Sequence, residues 1–242
     1  RGVPPPRRPV DVRARQWTDY GGGGAANGDG APPRFTLASY NVLSQALLEA
    51  HFDELYGALR RTPAAAQWEP RSRVLLDELA ALDADVFCLQ EVDHPRLLGD
   101  FFEARGYGWH YLARTGGAGN DGCLTAYRRA AFDLAAPPVE LRFRERGLRH
   151  NVCLILALAP ARQDASAPRV CVANTHVLFN PKRGDVKLAQ VREALAALAS
   201  TSGADSPDAS VAARARAVIA GDFNSAPDSA VYEFVRSARL DC

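Results

Sequence analysis

Four short apolar stretches, each closing on a polar side chain of catalytic type, constrain this chain more than any other feature. They are Phe35-Thr36-Leu37-Ala38-Ser39-Tyr40-Asn41, then Asp85-Val86-Phe87-Cys88-Leu89-Gln90-Glu91, then Val170 to His176, and last Val218-Ile219-Ala220 running into Gly221-Asp222-Phe223-Asn224. Runs of this length and content predict buried strands. Between them lie helical patterns: Val74, Leu75, Leu79 and Leu82 share one face over 71–82, and Leu188, Val191, Leu195 and Leu198 share one after Asp185, a candidate N-cap. Such alternation predicts a layered α/β domain. In α/β sheets ligands gather at the carboxyl ends of strands. Asn41, Glu91, the Asn174/His176 pair, Asp222 and Asn224 are therefore expected to converge although they are scattered in sequence. Singly, Asn41 also reads as a turn former, Glu91 as a helix-leading acid, His176 as a core histidine and Asp222-Phe223-Asn224 as an Asx turn. Four strands ending alike is what favours a site.

Further strands are predicted between Tyr107 and Tyr127 and over 152–158, with a last helix from about Ser229 to Arg236. The segment 160–168 reads as a loop rich in Pro and Ala, and 201–213 as a low-complexity loop. Residues 1–34 hold 13 Gly plus Pro and six Arg without helical or strand periodicity, and are expected to form a disordered leader, leaving 35–242 as the folded domain.

Charge and composition exclude several classes. With Lys+Arg 29 against Asp+Glu 28 the net charge is +1, so attraction to a polyanion has to be local. No run approaches the roughly 18 apolar residues of a membrane span, so no membrane partner is expected. The five cysteines show no C-x-x-C spacing, which argues against a zinc site or a disulfide framework. Cys88, Cys153 and Cys171 sit in apolar runs as buried thiols, which suits a reducing compartment. The expected location is the cytoplasm, with the nucleus and a mitochondrial address left open. Met is absent altogether and Lys occurs only as Lys182 and Lys187, so the sequence is expected to be part of a longer or processed chain.

Glu91 and Asp222 supply hard oxygen ligands, and Asn41 and Asn224 supply amides. Mg2+ is usually held by one or two carboxylates, with water and substrate phosphate completing its shell. The set lacks the His/Cys cluster of zinc sites, a P-loop and a Gly-x-Ser-x-Gly elbow. Metal-assisted phosphoester cleavage is the reaction class it predicts.

These motifs resemble the endonuclease/exonuclease/phosphatase superfamily, and within it the Angel branch beside the carbon-catabolite-repressor type deadenylases. The resemblance rests on Ser39-Tyr40-Asn41-Val42-Leu43-Ser44-Gln45, Cys88-Leu89-Gln90-Glu91-Val92, Asp121-Gly122-Cys123, Ala173-Asn174-Thr175-His176, the run from Asn180 to Leu188 and Gly221-Asp222-Phe223-Asn224-Ser225, in family order. It implies an α/β fold, a two-sheet sandwich flanked by helices. It also implies Glu91 and Asn41 at a catalytic Mg2+, with Mn2+ as a substitute, His176 on a phosphate oxygen, Asp222 orienting or deprotonating the attacking water, and Asn224 holding the phosphate. Asn174, Pro181, Lys182 and Arg183 are the implied substrate-binding residues, Pro181 packing on a base. Lys187 joins Lys182 and Arg183 as a candidate source of local phosphate attraction, and Arg142 to Arg149 reads as a surface stretch.

Two departures accompany the resemblance. His150 stands where the family has Asp before Asn151, and the family's late Ser-Asp-His element is absent before Cys242, so the domain is expected to be C-terminally incomplete and weakly active alone. The implied function is a Mg2+-dependent phosphoesterase on RNA 3′ ends, either a 3′-to-5′ exoribonuclease or a 2′,3′-cyclic phosphatase. A non-catalytic RNA-binding scaffold on the same fold stays open as the alternative.

Overall fold

The computed structural model describes residues 35–56, 66–116, 121–161, 169–203 and 215–237. The expected leader lies outside this set, as does nearly all of the two predicted loops. Among the described residues nine strands form two sheets. The first contains β1 (Leu37–Asn41), β2 (Val86–Gln90), β3 (Tyr107–Ala113) and β4 (Gly122–Arg128) in the order β1-β2-β4-β3, with β1 and β2 parallel and the other pairings antiparallel. The second is built on β7 (Val152–Pro160), along which β5 (Phe132–Leu134) and β6 (Val139–Arg142) both run antiparallel. It continues through β8 (Val170–His176) to β9 (Arg216–Asp222), which runs parallel to β8.

The period of two along each strand decides the layering. Val86, Cys88, Leu112, Cys123 and Tyr127 of the first sheet face Val152, Leu154, Leu156, Val170 and Val172 of the second, forming the core between the sheets. The alternate residues Phe87, Leu89, Leu124 and Ala126 turn outward onto α3 (Trp68–Leu82) and α4 (Pro95–Glu103). On the other side Cys153, Ile155, Ala157, Cys171 and Ala173 turn onto Ala194 and Leu198 of α5 (Gly184–Ser202). The result is a helix, sheet, sheet, helix sandwich, as the resemblance implies. Strands covered on both faces explain why β2, β7 and β8 read as unbroken apolar runs. The thiols of Cys88, Cys153 and Cys171 on these strands, and of Cys123 on β4, are free and buried.

Several local expectations are corrected. Asp185 does not cap α5: Arg183 occupies the N-cap without a side-chain bond, and Asp185 lies in the first turn. There its charge meets the positive end of the helix dipole and the Arg183 guanidinium, 2.8 Å away. The helix over 71–82 begins earlier, at Trp68, and the strand at 218–220 lengthens to Arg216–Asp222. Short elements escaped the pattern: α1 (Gln45–Ala50), α2 (Phe52–Tyr56), α4, β5 and β6. The last helix, α6 (Ala230–Ser237), lies close to its expected place. The basic stretch lies on the surface as expected, anchored by the buried ring of Phe143, with Arg146 paired to Glu193 at 2.8 Å.

Candidate active site

The parallel pairs set the site. Asn41 lies opposite Gln90 at the ends of β1 and β2, and His176 lies opposite Asp222 at the ends of β8 and β9. All four strands finish at one rim, where the chain turns sharply. Leu43, Glu91 and Asn224 all take positive φ, at 58°, 57° and 46°. A left-handed backbone at non-glycine residues costs on the order of 1 kcal/mol or more each. Here it aims Glu91 and Asn224 into the space between the sheet ends.

The five expected catalytic residues come together. Asn41 Nδ2 donates to Glu91 Oε1 at 2.8 Å and to Asp222 Oδ2 at 3.0 Å, tying the two sheets across the rim. Asp222 Oδ1 accepts from the Asn224 amide at 2.9 Å, and Asp222 Oδ2 lies 3.9 Å from His176 Nε2. Asn224 Nδ2 meets His176 Nε2 at 2.9 Å and donates to the Val177 carbonyl at 2.8 Å. Ser44, the N-cap of α1, donates its amide to Glu91 Oε2 at 3.1 Å. Both oxygens of each carboxylate are thus oriented before any substrate arrives.

Glu91, His176 and Asp222 offer ligand atoms within 4.8 Å of one another, a group able to hold a divalent cation. His176 Nε2 has one lone pair and takes the Asn224 amide, whereas each carboxylate oxygen keeps a lone pair beside the hydrogen bond it accepts and so suits a hard cation. Asn41 Oδ1 accepts from the Leu43 amide at 2.9 Å and its nitrogen faces the two acids, so it positions the carboxylates.

The expected substrate-binding residues separate. Asn174 is 0% exposed, its Oδ1 taking Gln90 Nε2 at 2.8 Å and its Nδ2 reaching the Leu89 and Leu124 carbonyls at 3.1 and 3.0 Å. It pins one sheet to the other and cannot touch substrate. It shares the face of His176 but lies two residues deeper in β8, inside the sandwich instead of at its rim. Pro181, Lys182 and Arg183 lie on the loop after β8, where Arg183 is forked onto Asp185. Lys187 is 7% exposed and donates to the Asn224 carbonyl at 2.6 Å, supporting the Asn224 turn from behind instead of facing a phosphate.

Other residues at the site gave little signal in the sequence. Asn151 donates to the His176 carbonyl at 2.9 Å and is itself held by Gln190 at 3.1 Å. The unusual His150 turns away toward Thr115 and Gly116, leaving this support intact. Asp121, beside the Val92–Gly122 backbone pair, has a side chain only 2% exposed, with Oδ1 2.7 Å from Arg114 Nη2 in ion-pair contact but off the line of a hydrogen bond. Burial pushes the Asp121 carboxyl up, while Arg114 and His176 pull it down and Glu91 adds to the rise. The Asp121-Gly122-Cys123 motif was the only pointer to it.

The sequence matches the Endonuclease/Exonuclease/phosphatase family over residues 38–242. The chain belongs to this family. Protein angel homolog 2 of Bos taurus is 39% identical over 213 residues, covering 86% of this chain and 38% of that protein. Protein angel homolog 1 of Homo sapiens is 38% identical over 246 residues, 95% of this chain and 35% of that protein. Carbon catabolite repressor protein 4 homolog 6 of Arabidopsis thaliana is 35% identical, covering 98% of this chain and 32% of its own length. The chain thus spans less than two-fifths of these relatives. Among solved structures, that of ANGEL2, a 2′,3′-cyclic phosphatase, in complex with adenosine-2′,3′-vanadate superposes with a TM-score of 0.74 at 39% identity, over 85% of this chain and 58% of that one. The likeness of this endonuclease/exonuclease/phosphatase chain to Angel proteins extends the motif resemblance to most of the described fold.

Proposed function

We propose that the protein is a divalent-cation-dependent phosphoesterase acting on RNA 3′ ends, and that its reaction is hydrolysis of a terminal 2′,3′-cyclic phosphate. The observation that carries this is the paired-carboxylate centre, Glu91 and Asp222 bridged by Asn41 at 2.8 and 3.0 Å, in a chain 39% identical to a 2′,3′-cyclic phosphatase. Glu91 and Asp222 would hold a divalent cation, Mg2+ by the hardness of their oxygens, and it would supply charge neutralisation for the phosphate. The chain's own groups do the rest. Asp222, fixed at both oxygens, orients a water and takes its proton as the water attacks phosphorus. Asn224 and His176 face the phosphate oxygens as charge grows on them, and Asn41 keeps the two acids at fixed separation. Each hydrolysis breaks one P–O bond to the ribose, and the departing oxygen takes up a proton; complete removal of the group requires two such events.

A scaffold without catalysis has no need for left-handed turns aiming an acid, Glu91, and an amide, Asn224, at one point. The 3′-to-5′ exoribonuclease reaction uses the same centre and is separated by substrate. Full-length protein is to be given oligoadenylate ending in a 2′,3′-cyclic phosphate or in a 3′-hydroxyl, with Mg2+ or with chelator. Loss of the cyclic group only with Mg2+ is expected. Shortening of the 3′-hydroxyl strand would move the assignment to exoribonuclease, and chelator-insensitive turnover or none would refute it.

A further inference from the structure

The segment that leaves β1 has its backbone amides taken, one after another, by side chains around the centre. The Leu43 amide goes to Asn41 Oδ1 and the Ser44 amide to Glu91 Oε2, and the amides of Gln45 and Ala46 both go to Asp93 Oδ2, the latter at 3.4 Å. Glu91 and Asp93 thus grip neighbouring links of one chain from positions two apart. Between them Val92 is fixed: its amide and carbonyl exchange bonds of 3.0 Å with Gly122, and Tyr111 Oη donates to the same carbonyl at 3.0 Å. Asp93 is itself clamped. Its side chain is 10% exposed, and its Oδ1 lies 2.7 Å from His94 Nδ1, which carries the proton of that bond because a carboxylate only accepts. The His94 ring is stacked on Trp68 of α3, with centroids 3.9 Å and planes 16° apart. From the same helix Arg71, its guanidinium 5.0 Å from the Trp68 ring, donates to the Val42 carbonyl at 2.9 Å and to Gln45 Oε1 at 3.0 Å. A run of contacts therefore leads from α3 through His94 and Asp93 to the amide that orients Glu91.

We propose that Asp93 is a positioning residue for the cation site: by holding the Gln45 and Ala46 amides it fixes the Ser44 amide against Glu91, and so sets the affinity of the centre for its divalent cation. This rests on the phosphoesterase function proposed above. A carboxylate aimed by an amide that is itself held loses less freedom when an ion arrives, and outer partners of metal ligands commonly contribute about 10- to 100-fold in metal affinity. Asp93 acts through geometry and not through its charge. In Asp93→Asn the side-chain oxygen still takes the Gln45 and Ala46 amides, and the NH2 group meets His94 Nδ1 in the other neutral tautomer. In Asp93→Ala no acceptor is left for either amide.

The test uses full-length protein and Mn2+ as the probe, its binding followed by electron paramagnetic resonance without RNA, beside single-turnover hydrolysis of oligoadenylate 2′,3′-cyclic phosphate as Mg2+ is varied. The Mn2+ site read is the one that Glu91→Gln removes. Asp93→Ala is expected to raise the Mn2+ dissociation constant and the half-saturating Mg2+ by the same factor, about 10-fold, with the rate at saturating Mg2+ unchanged and hydrogen exchange at residues 43–46 accelerated. Asp93→Asn is expected to recover both affinities and the slow exchange. Wild-type Mn2+ affinity in Asp93→Ala would overturn the proposal. So would a loss in Asp93→Asn as large as in Asp93→Ala, which would mark a charge acting on the ion directly. His94→Phe keeps a ring on Trp68 and removes only the bond to Asp93; it is expected to raise the dissociation constant by about 3-fold. If Asp93→Ala does not fold, this variant decides, and unchanged affinity in it overturns the proposal. Asp93-dependent Mn2+ binding in a protein that hydrolyses no cyclic phosphate would refute the phosphoesterase function and leave the positioning role standing. Absence of Mn2+ binding in the wild type would overturn both.

Discussion

Asn41 shows how one amide divides its labour: its oxygen is held by the next turn, and its nitrogen stands between Glu91 and Asp222. Its replacement by Ala therefore leaves two acids facing each other unbridged, while Asn41→Asp adds a third negative charge. Both are expected to lower kcat by roughly 100-fold or more in the cyclic-phosphate assay, because each disturbs preorganised electrostatics. Retention of wild-type kcat in Asn41→Ala would contradict the positioning role. Asn224 supports a sharper prediction, because its backbone sits at φ 46° and glycine accepts that conformation freely. Asn224→Gly is expected to keep the turn and the thermal midpoint, within about 1 kcal/mol, while removing the contacts to His176 and Val177 and with them most activity. Calorimetry beside an activity assay separates the two effects. At this scale the sequence was informative about which residues matter and less so about what each does. Asn174, Lys187 and Asn41 all belong to recognisable motifs, but depth along a strand and the left-handed turns, which motifs do not display, decide what their side chains meet.

The elements succeed or fail at their ends. Gly221, the penultimate residue of β9, has φ 143°, and a Cβ there would lie 1.9 Å from the Thr175 carbonyl oxygen of the neighbouring strand. Gly221→Ala is expected to cost about 2–4 kcal/mol and lower the midpoint by about 10 °C. An unchanged midpoint would mean that β8 and β9 do not approach as described. At the other end of the first sheet, Asp85 ties β1, β2 and β4 together by accepting from the Thr36 amide and hydroxyl at 2.9 and 3.0 Å and from Arg128 Nε at 3.0 Å. Burial alone would raise its carboxyl, but these donors outweigh burial and hold it below the usual 3.8. A depressed carboxylate contributes stability above its unfolded value and loses it as pH falls through the folded one. Urea titrations of Asp85→Asn are therefore expected to show a deficit at pH 7 that shrinks below about pH 4; a deficit independent of pH would contradict the charge-based tie. The long strands and α5 were readable because their apolar period is unmistakable. α1, α4, β5 and β6 were not: they are short, and neighbours such as the Asp93 carboxylate, which receives the Gln45 amide, hold them in place.

For the whole molecule, what matters is the join between two sheets that could each fold against their own helices. Apart from apolar packing, the join is made by Asn41 to Asp222 at the rim and by the Asn174 and Gln90 amides in the interior, where Asn174 also meets Thr125 at 3.2 Å. Buried amides linked in this way are costly to break, because each lost partner strands another. Asn174→Ala is expected to destabilise by about 2–4 kcal/mol in urea unfolding, and Asn174→Ala with Gln90→Ala to fall short of the sum of the single changes. Strict additivity would show that the two amides do not act as a unit. The layered architecture followed from sequence because continuous apolar strands have to be covered on both faces, whereas pairing across the sandwich depends on contacts 50 to 180 residues apart, which no local pattern records. The most direct measurement of the central claim is the single-turnover rate of cyclic-phosphate opening by full-length protein as Mg2+ is varied, for the wild type and for Glu91→Gln. The account predicts saturable dependence on Mg2+ and a fall of at least about 100-fold in the variant; equal rates for the two proteins, or turnover that survives chelation, would contradict it.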